Sequence, residues 1–198
     1  MSWKNFKENG GMIMDENEKK YREDLLSQVK NAYGKVVYSY TTHWKQQNIY
    51  STNARRIKIA EIVLNSISTT GLLGFLIFSQ WWAALIGTIF SAVSLGLSLY
   101  TKEVKYDNLI SAHRTTADEL WVLRERYVSL MTDFQIMNLE DVVKRRDELE
   151  TESARIYRAA AQTTGKAYEK AQKALKQEEE QFFSNDELNL MLPPHLRT

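Results

Sequence analysis

Residues 65–100 read NSISTTGLLGFLIFSQWWAALIGTIFSAVSLGLSLY, with no Asp, Glu, Lys, Arg, His or Pro. Such a stretch is either the buried hairpin of a water-soluble helical protein or two passes through a bilayer. Length is the first arbiter: a helix needs about 20 mainly apolar residues to cross roughly 30 Å of hydrocarbon, at about 1.5 Å per residue. Residues 57–78 and 82–100 both satisfy this, joined by Ser79-Gln80-Trp81. A soluble pair, apolar or small all round, would need cover on every side. The rest of the 198-residue chain is too polar to supply it, because all 51 charged side chains lie outside the 40-residue run 62–101. The mean hydropathy of −0.44 averages two unlike populations.

The flanks agree with the membrane reading. Trp81 and Trp82 stand at the hairpin tip and Tyr100 closes the second span, where amphipathic rings prefer the headgroup zone. Arg55, Arg56 and Lys58 precede span one, Lys102 and Lys105 follow span two, and the tip carries no charge. The positive-inside rule then puts both termini in the cytoplasm. The expected fold is all-α: a two-span transmembrane helical hairpin with long cytoplasmic helices before and after it. The expected division is a cytoplasmic segment over 1–52, the hairpin over 53–101 and a cytoplasmic helical domain over 102–198.

Before the hairpin, Leu25, Val29, Ala32, Val36 and Tyr40 form an apolar stripe that predicts a long amphipathic helix over 16–50. Ser51-Thr52-Asn53 is expected to break it or to cap the start of span one. After the hairpin, Leu109, His113, Thr116, Leu120, Leu123, Tyr127 and Leu130 share one face of a helix over 102–134. Asn138 with Glu140 and Asp141 predicts a cap opening a helix to about Ala160. A further helix runs to about Glu180, with Tyr168, Ala171 and Leu175 on one side. Ser184-Asn185-Asp186-Glu187 is a capping box before a short last helix stopped at Pro193-Pro194. The portion through Lys58 carries net +5 and the portion after Tyr100 net −3, so opposite charge can steer their docking.

The chemistry of the residues is mostly exclusion. A net charge of +1 gives no electrostatic footprint for nucleic acid, and direct nucleic-acid binding is not expected. Zero cysteines remove disulfides, Cys-ligated zinc, iron–sulfur clusters and thiol catalysis. The first twenty residues lack the apolar stretch of a secretory signal. His43, His113 and His195 lie on separate segments and read as surface or packing residues. Thr164-Gly165-Lys166-Ala167 mimics the end of a phosphate loop, but position 160 is Ala and 167 is neither Ser nor Thr. No catalytic residues, metal ligands or cofactors are expected, and the chain is not expected to be an enzyme.

The spans say more. On span two Ala84, Gly87, Ser91, Ser94 and Ser98 recur at three and four residues, a seam of small side chains that lets helices approach closely in lipid. On span one Glu61, Asn65, Ser68 and Thr69 form a polar face, and Glu61 is costly if it meets lipid. Either both stripes zip the two helices together, or in an oligomer one packs subunits and the other lines a water-filled path. Two spans alone cannot enclose a pore. In the soluble part Trp121, Arg124, Glu125 and Tyr127 cluster, as do Arg145 and Arg146 with Asp147 and Glu148. These are either solvated faces or contacts to a partner, another subunit or a phosphorylated ligand.

The same residues carry a family resemblance. Tyr38-Ser-Tyr40 to Trp44, the two spans, Leu120-Trp121-x-Leu123-Arg124-Glu125-x-Tyr127 and Arg146-Asp147-Glu148-Leu149 follow in order. Ile156-Tyr157, Thr163-Thr164 with Ala167-Tyr168, and Asn185-Asp186-Glu187-Leu188 near Leu192-Pro193 complete the series. Together they resemble the SLATT family, bacterial effector domains found beside nucleotide-second-messenger synthases and sensors in anti-phage systems. The resemblance implies a membrane effector that assembles or opens on an infection signal and permeabilises the inner membrane. It also implies a nucleotide second messenger, or a separate sensor or synthase protein, as trigger. The expected function is therefore a homo-oligomeric pore or ion-conducting effector in the lipid bilayer of a bacterial inner membrane. The alternatives are a non-conducting anchor presenting a helical docking platform and, third, a soluble helical bundle.

Overall fold

The computed structural model describes residues 16–193, 195 and 197; the expectations for residues 1–15 and for Pro194 lie outside the described residues. Within these the chain is helical without strands: α1 (Glu16–Phe78), α2 (Trp81–Val104), α3 (Tyr106–Asp133), α4 (Leu139–Ala159), α5 (Gly165–Lys176) and α6 (Asn185–Met191). The 63 residues of α1 make one rod of roughly 95 Å at about 1.5 Å per residue. The break expected at Ser51-Thr52-Asn53 does not occur. No Gly or Pro interrupts that stretch, and Tyr50, beside it, packs against α3 through Tyr106 and His113, with ring centroids 6.1 and 5.6 Å apart. Packing overrides the weak local preference of Ser, Thr and Asn for caps.

The chain turns at Ser79 and Gln80, and α2 runs back along α1. The helix expected over 102–134 starts later, because Lys105 adopts a left-handed conformation, φ 51° and ψ 53°, that separates α2 from α3. The Lys105 N–H still bonds the Thr101 carbonyl at 3.2 Å, and its carbonyl accepts from Asn108 N–H at 3.0 Å. The joint redirects the chain without fraying it. α3 continues back along α1, α4 returns on α3, and α5 lies on α1.

One core unites the parts before and after the hairpin. Leu25, Val29 and Val36 of α1 pack with Leu120, Leu123, Tyr127 and Leu130 of α3, then Phe134, then Val142, Leu149 and Ile156 of α4. Each such side chain stabilises the fold by about 1.5–3 kcal/mol on full burial. The expected stripes on α1 and α3 therefore face each other. The face expected on α5 is right only at Ala171: Ala167, Ala171 and Ala174 are fully buried, while Tyr168 is 51% exposed and Leu175 half-buried. Alanines let α5 approach α1 closely, and Tyr168 lies at the margin, its ring 5.1 Å from that of Tyr38. Of the complementary charges, Lys45 and Glu180 meet at 2.7 Å, a partly exposed pair worth at most about 1 kcal/mol.

The caps expected at Asn138 and Ser184 form, and Thr164 adds one that was not expected. Asn138 Oδ1 accepts from Asp141 N–H at 2.8 Å, and Thr164 Oγ1 from Ala167 N–H at 3.4 Å. Ser184 and Glu187 complete a reciprocal capping box on α6. Each cap satisfies an amide that the first helical turn leaves without a partner.

Candidate functional site

The hairpin closes where two glycines meet. A Cβ added to Gly71 would stand 2.7 Å from the Ala83 carbonyl oxygen and 3.1 Å from Gly87 Cα; one added to Gly87 would stand 2.9 Å from the Ser68 carbonyl oxygen. The backbones touch because neither residue has a side chain, the small-residue approach expected of helices in lipid. The predicted seam on α2 divides. Gly87 and Ser94 face α1, Ala84 is half-buried, and Ser91 and Ser98 are exposed. A stripe spaced three and four is wider than the line of contact, so its edge remains outside. Ser68, Ala84, Thr88, Ser91 and Ala92 there line a groove of about 420 Å³.

The polar face of span one divides too. Ser68 is half-buried beside the glycine crossing, whereas Asn65 and Thr69 are exposed on the outer edge. Thr69 donates its hydroxyl proton to the Asn65 carbonyl at 2.9 Å. Ser66 and Thr70 likewise donate to carbonyls one turn earlier, at 2.8 and 2.9 Å. Those hydroxyls are satisfied within the helix; the Asn65 side-chain amide is not. Glu61 is half-buried, and its Oε1 is sealed from solvent without a hydrogen-bond partner.

Below the hairpin lies a histidine pair. His43 of α1 and His113 of α3 are 6% and 1% exposed, with their Nδ1 atoms 2.9 Å apart. One Nδ1–H must donate to the other, bare Nδ1, so the accepting ring is neutral. Burial, and then proximity to His113, push the His43 pKa down from 6.5 to about 4. Burial lowers that of His113 as well. Both serve packing, as expected; His195 is exposed. Sequence reasoning missed their contact, since 70 residues separate them, although each falls on a buried face. Nearby, buried Gln46 accepts two bonds through Oε1, from the Thr164 N–H at 2.9 Å and the Thr164 hydroxyl at 2.7 Å. That anchors the α4–α5 connection on α1.

The two predicted clusters outside the hairpin stay apart. Trp121 lies against Tyr40 with centroids 5.3 Å apart, and the Arg124 guanidinium sits 4.6 Å above the Trp121 ring. Arg124 also bonds Glu125 at 2.6 Å. Tyr127 points the other way, 1% exposed in the core, and burial raises its pKa to about 12. Arg145 bonds Glu148, and Arg146 bonds Asp147 and reaches Gln28 of α1 at 2.8 Å. Contacts at Tyr40 and Gln28 lie roughly 18 Å apart along α1, so the clusters form no single pocket. Among the described residues no group of three His, Asp or Glu side chains is placed to hold a metal ion.

The covering of the hairpin answers the opening question. The most apolar 18-residue window of α1 has a mean hydropathy of 1.5 with 0% of it buried; that of the α2–α3 arm reaches 1.8 with 17% buried. A soluble core helix would be enclosed by protein; these are bare, as helices solvated by lipid are. Residues 25–187 match the SMODS and SLOG-associating 2TM effector domain family 4. The chain belongs to this SLATT family. Comparison with curated proteins and with solved structures gives no match. The SLATT match runs from Leu25, the first buried residue of α1, to Glu187 in the capping box of α6. It thus takes in both apolar helices and the shared core. As a SLATT chain with two bare apolar helices, the protein is a membrane protein.

Proposed function

We propose that this SLATT protein is an anti-phage effector of the bacterial inner membrane whose hairpins assemble into a homo-oligomeric pore when a signal or partner acts on the cytoplasmic helices. Arg55, Arg56, Lys58, Lys102 and Lys105 gather at the end of the hairpin opposite the uncharged Trp81-Trp82 tip, which supports cytoplasmic termini. The association with SMODS and SLOG in the family's description supports a nucleotide second messenger, or the protein that makes or senses it, as trigger. The proposal includes no catalytic chemistry.

The observation that carries the pore reading is Asn65. Its amide is exposed on the outer edge of span one, where the partner helix α2 does not reach it. A primary amide left in hydrocarbon is costly; facing water or a second subunit satisfies it. The groove along Ala84, Thr88 and Ser91 supplies a second small-residue surface that the hairpin does not consume. The anchor reading is favoured by the Gly71–Gly87 crossing, which closes the hairpin on itself.

The experiment replaces Asn65 with Leu and Thr69 with Val and follows membrane potential after triggering. Ser68 is avoided, because a larger side chain there would wedge the crossing. A pore loses depolarisation while the protein still reaches the membrane. Toxicity with the potential intact in the unsubstituted protein would end the pore reading, and indifference to both substitutions would favour the anchor.

A further inference from the structure

At the foot of the hairpin, where the uncharged stretch ends, α1, the last turn of α2 and the start of α3 border an open cleft of about 550 Å³, within the roughly 300–1,000 Å³ of ligand-binding clefts. Its walls carry Lys58 and Glu61 from α1, Ser98 and Lys102 from α2, Lys105 at the left-handed joint and Asp107 from α3. Three cations and two anions surround one space, yet among the described residues none of the five has an ion-pair partner. Opposite charges on flexible side chains around one surface cleft are free to pair with one another. Here none of them does, and the Glu61 carboxylate, which lines the same space, accepts no hydrogen bond from the protein. The cleft thus offers a cationic wall and, separately, an unsatisfied acceptor.

We propose that this cleft binds the headgroup of an amine-bearing phospholipid, its phosphate among Lys58, Lys102 and Lys105 and its ammonium at Glu61. A phosphate accepts only and suits lysines. An ammonium donates in three directions and suits a carboxylate that lacks a donor. Depth selects a lipid over a soluble compound, since Ser98 belongs to the apolar span and Lys102 is the first charge after it. Headgroup phosphates occupy that boundary. The inference needs membrane insertion but not conduction, so it stands or falls apart from the pore.

The test is native mass spectrometry of the full chain released from nanodiscs holding equal phosphatidylethanolamine, phosphatidylcholine and phosphatidylglycerol. The expected result is retention of phosphatidylethanolamine about tenfold over phosphatidylcholine, whose quaternary nitrogen has no proton to give Glu61, a difference of about 1.4 kcal/mol. Lys58→Gln, Lys102→Gln and Lys105→Asn together abolish retention; asparagine at 105 tolerates the left-handed backbone. Glu61→Gln keeps a bound phospholipid but levels the two headgroups. Equal retention of phosphatidylethanolamine and phosphatidylcholine by the unsubstituted chain, preference for phosphatidylglycerol, or undiminished retention by the triple variant would overturn the proposal. Glycerophosphoethanolamine tests the source: binding as tight as that of the intact lipid would assign the site to a soluble phosphodiester instead.

Discussion

A methyl group at Gly71 is the smallest change that probes the hairpin. The added Cβ would lie 2.7 Å from the Ala83 carbonyl oxygen, about 0.7 Å inside ordinary contact at 3.4 Å. The obstacle is backbone, so no rotamer change relieves it and α2 must withdraw. Alanine gains about 1 kcal/mol over glycine in intrinsic helix propensity. Overpacking a close contact costs about 1–3 kcal/mol, and separating the helices also forfeits dispersion along the rest of the crossing. The clash therefore outweighs propensity, and Gly71→Ala destabilises by about 1–2 kcal/mol. Gly87→Ala, with the Ser68 carbonyl oxygen at 2.9 Å, costs less. The two are not additive, since helices already parted by one methyl accommodate the second. Gly96 is the internal control: nothing lies within 4 Å of its Cβ position, and Gly96→Ala is neutral or mildly stabilising. The assay is reversible unfolding in mixed detergent, followed by the fluorescence of Trp81 and Trp82 at the tip with the other three tryptophans replaced by Phe in every variant compared. If Gly71→Ala proves as stable as Gly96→Ala, the close crossing is wrong.

Two further outcomes concern the foot of the molecule. His43 holds its proton below the ordinary histidine range, with a pKa of about 4 against 6.5. The unfolded chain therefore binds protons that the fold refuses, and the stability from the neutral pair is whole above about pH 6.5 and lost as pH falls toward 4. Burial raises the pKa of Tyr106, whose ring meets that of Tyr50 at this layer. Melting temperature falls across that window, and replacing both histidines with Phe flattens the slope; an unchanged slope refutes the assignment. Gln46→Leu strips the Thr164 N–H and hydroxyl of their acceptor, at about 1–3 kcal/mol. Hydrogen exchange at Thr164 then accelerates while amides in the middle of α4 stay protected; an unaltered rate at Thr164 refutes the anchor.

What the sequence disclosed followed from periodicity and caps. The stripes at Leu25, Val29 and Val36 and at Leu120, Leu123 and Leu130 are core, because burial on one side of a helix imposes its period on the residues. Asn138 and Ser184 cap their helices, because a first turn must find acceptors for its amides. What escaped was set by tertiary contact. The buried side of α5 is alanine, of which only Ala171 lay on the face expected with Tyr168 and Leu175; closeness to α1 selects for smallness, which a hydrophobicity pattern does not reward. The seam on α2 and the polar face of α1 each hold more residues than one contact line can use, and spacing alone does not reveal which half faces inward. Lys105, an ordinary lysine, gives no sign that the chain adopts a left-handed joint there.

The continuity of α1 has the largest functional consequence. A break at Ser51-Thr52-Asn53 would have uncoupled the helices outside the hairpin from its first arm, leaving any trigger to act through a flexible link. Instead the rod that packs Leu25, Val29 and Val36 into the core also carries Gly71 into the hairpin and Asn65 along its outer edge. A rotation of α1 imposed at the core must therefore reappear at Asn65, or be absorbed as bending near Tyr50 and the histidine pair. The return arm is different in kind, because Lys105 interrupts it between α2 and α3. A push on α3 can be taken up at that joint, whereas a twist of α1 is lost only by bending the helix itself. In the proposed pore this asymmetry makes span one the moving element and α2 the support. It also accounts for placing the polar residues on the helix that the shared core grips without interruption.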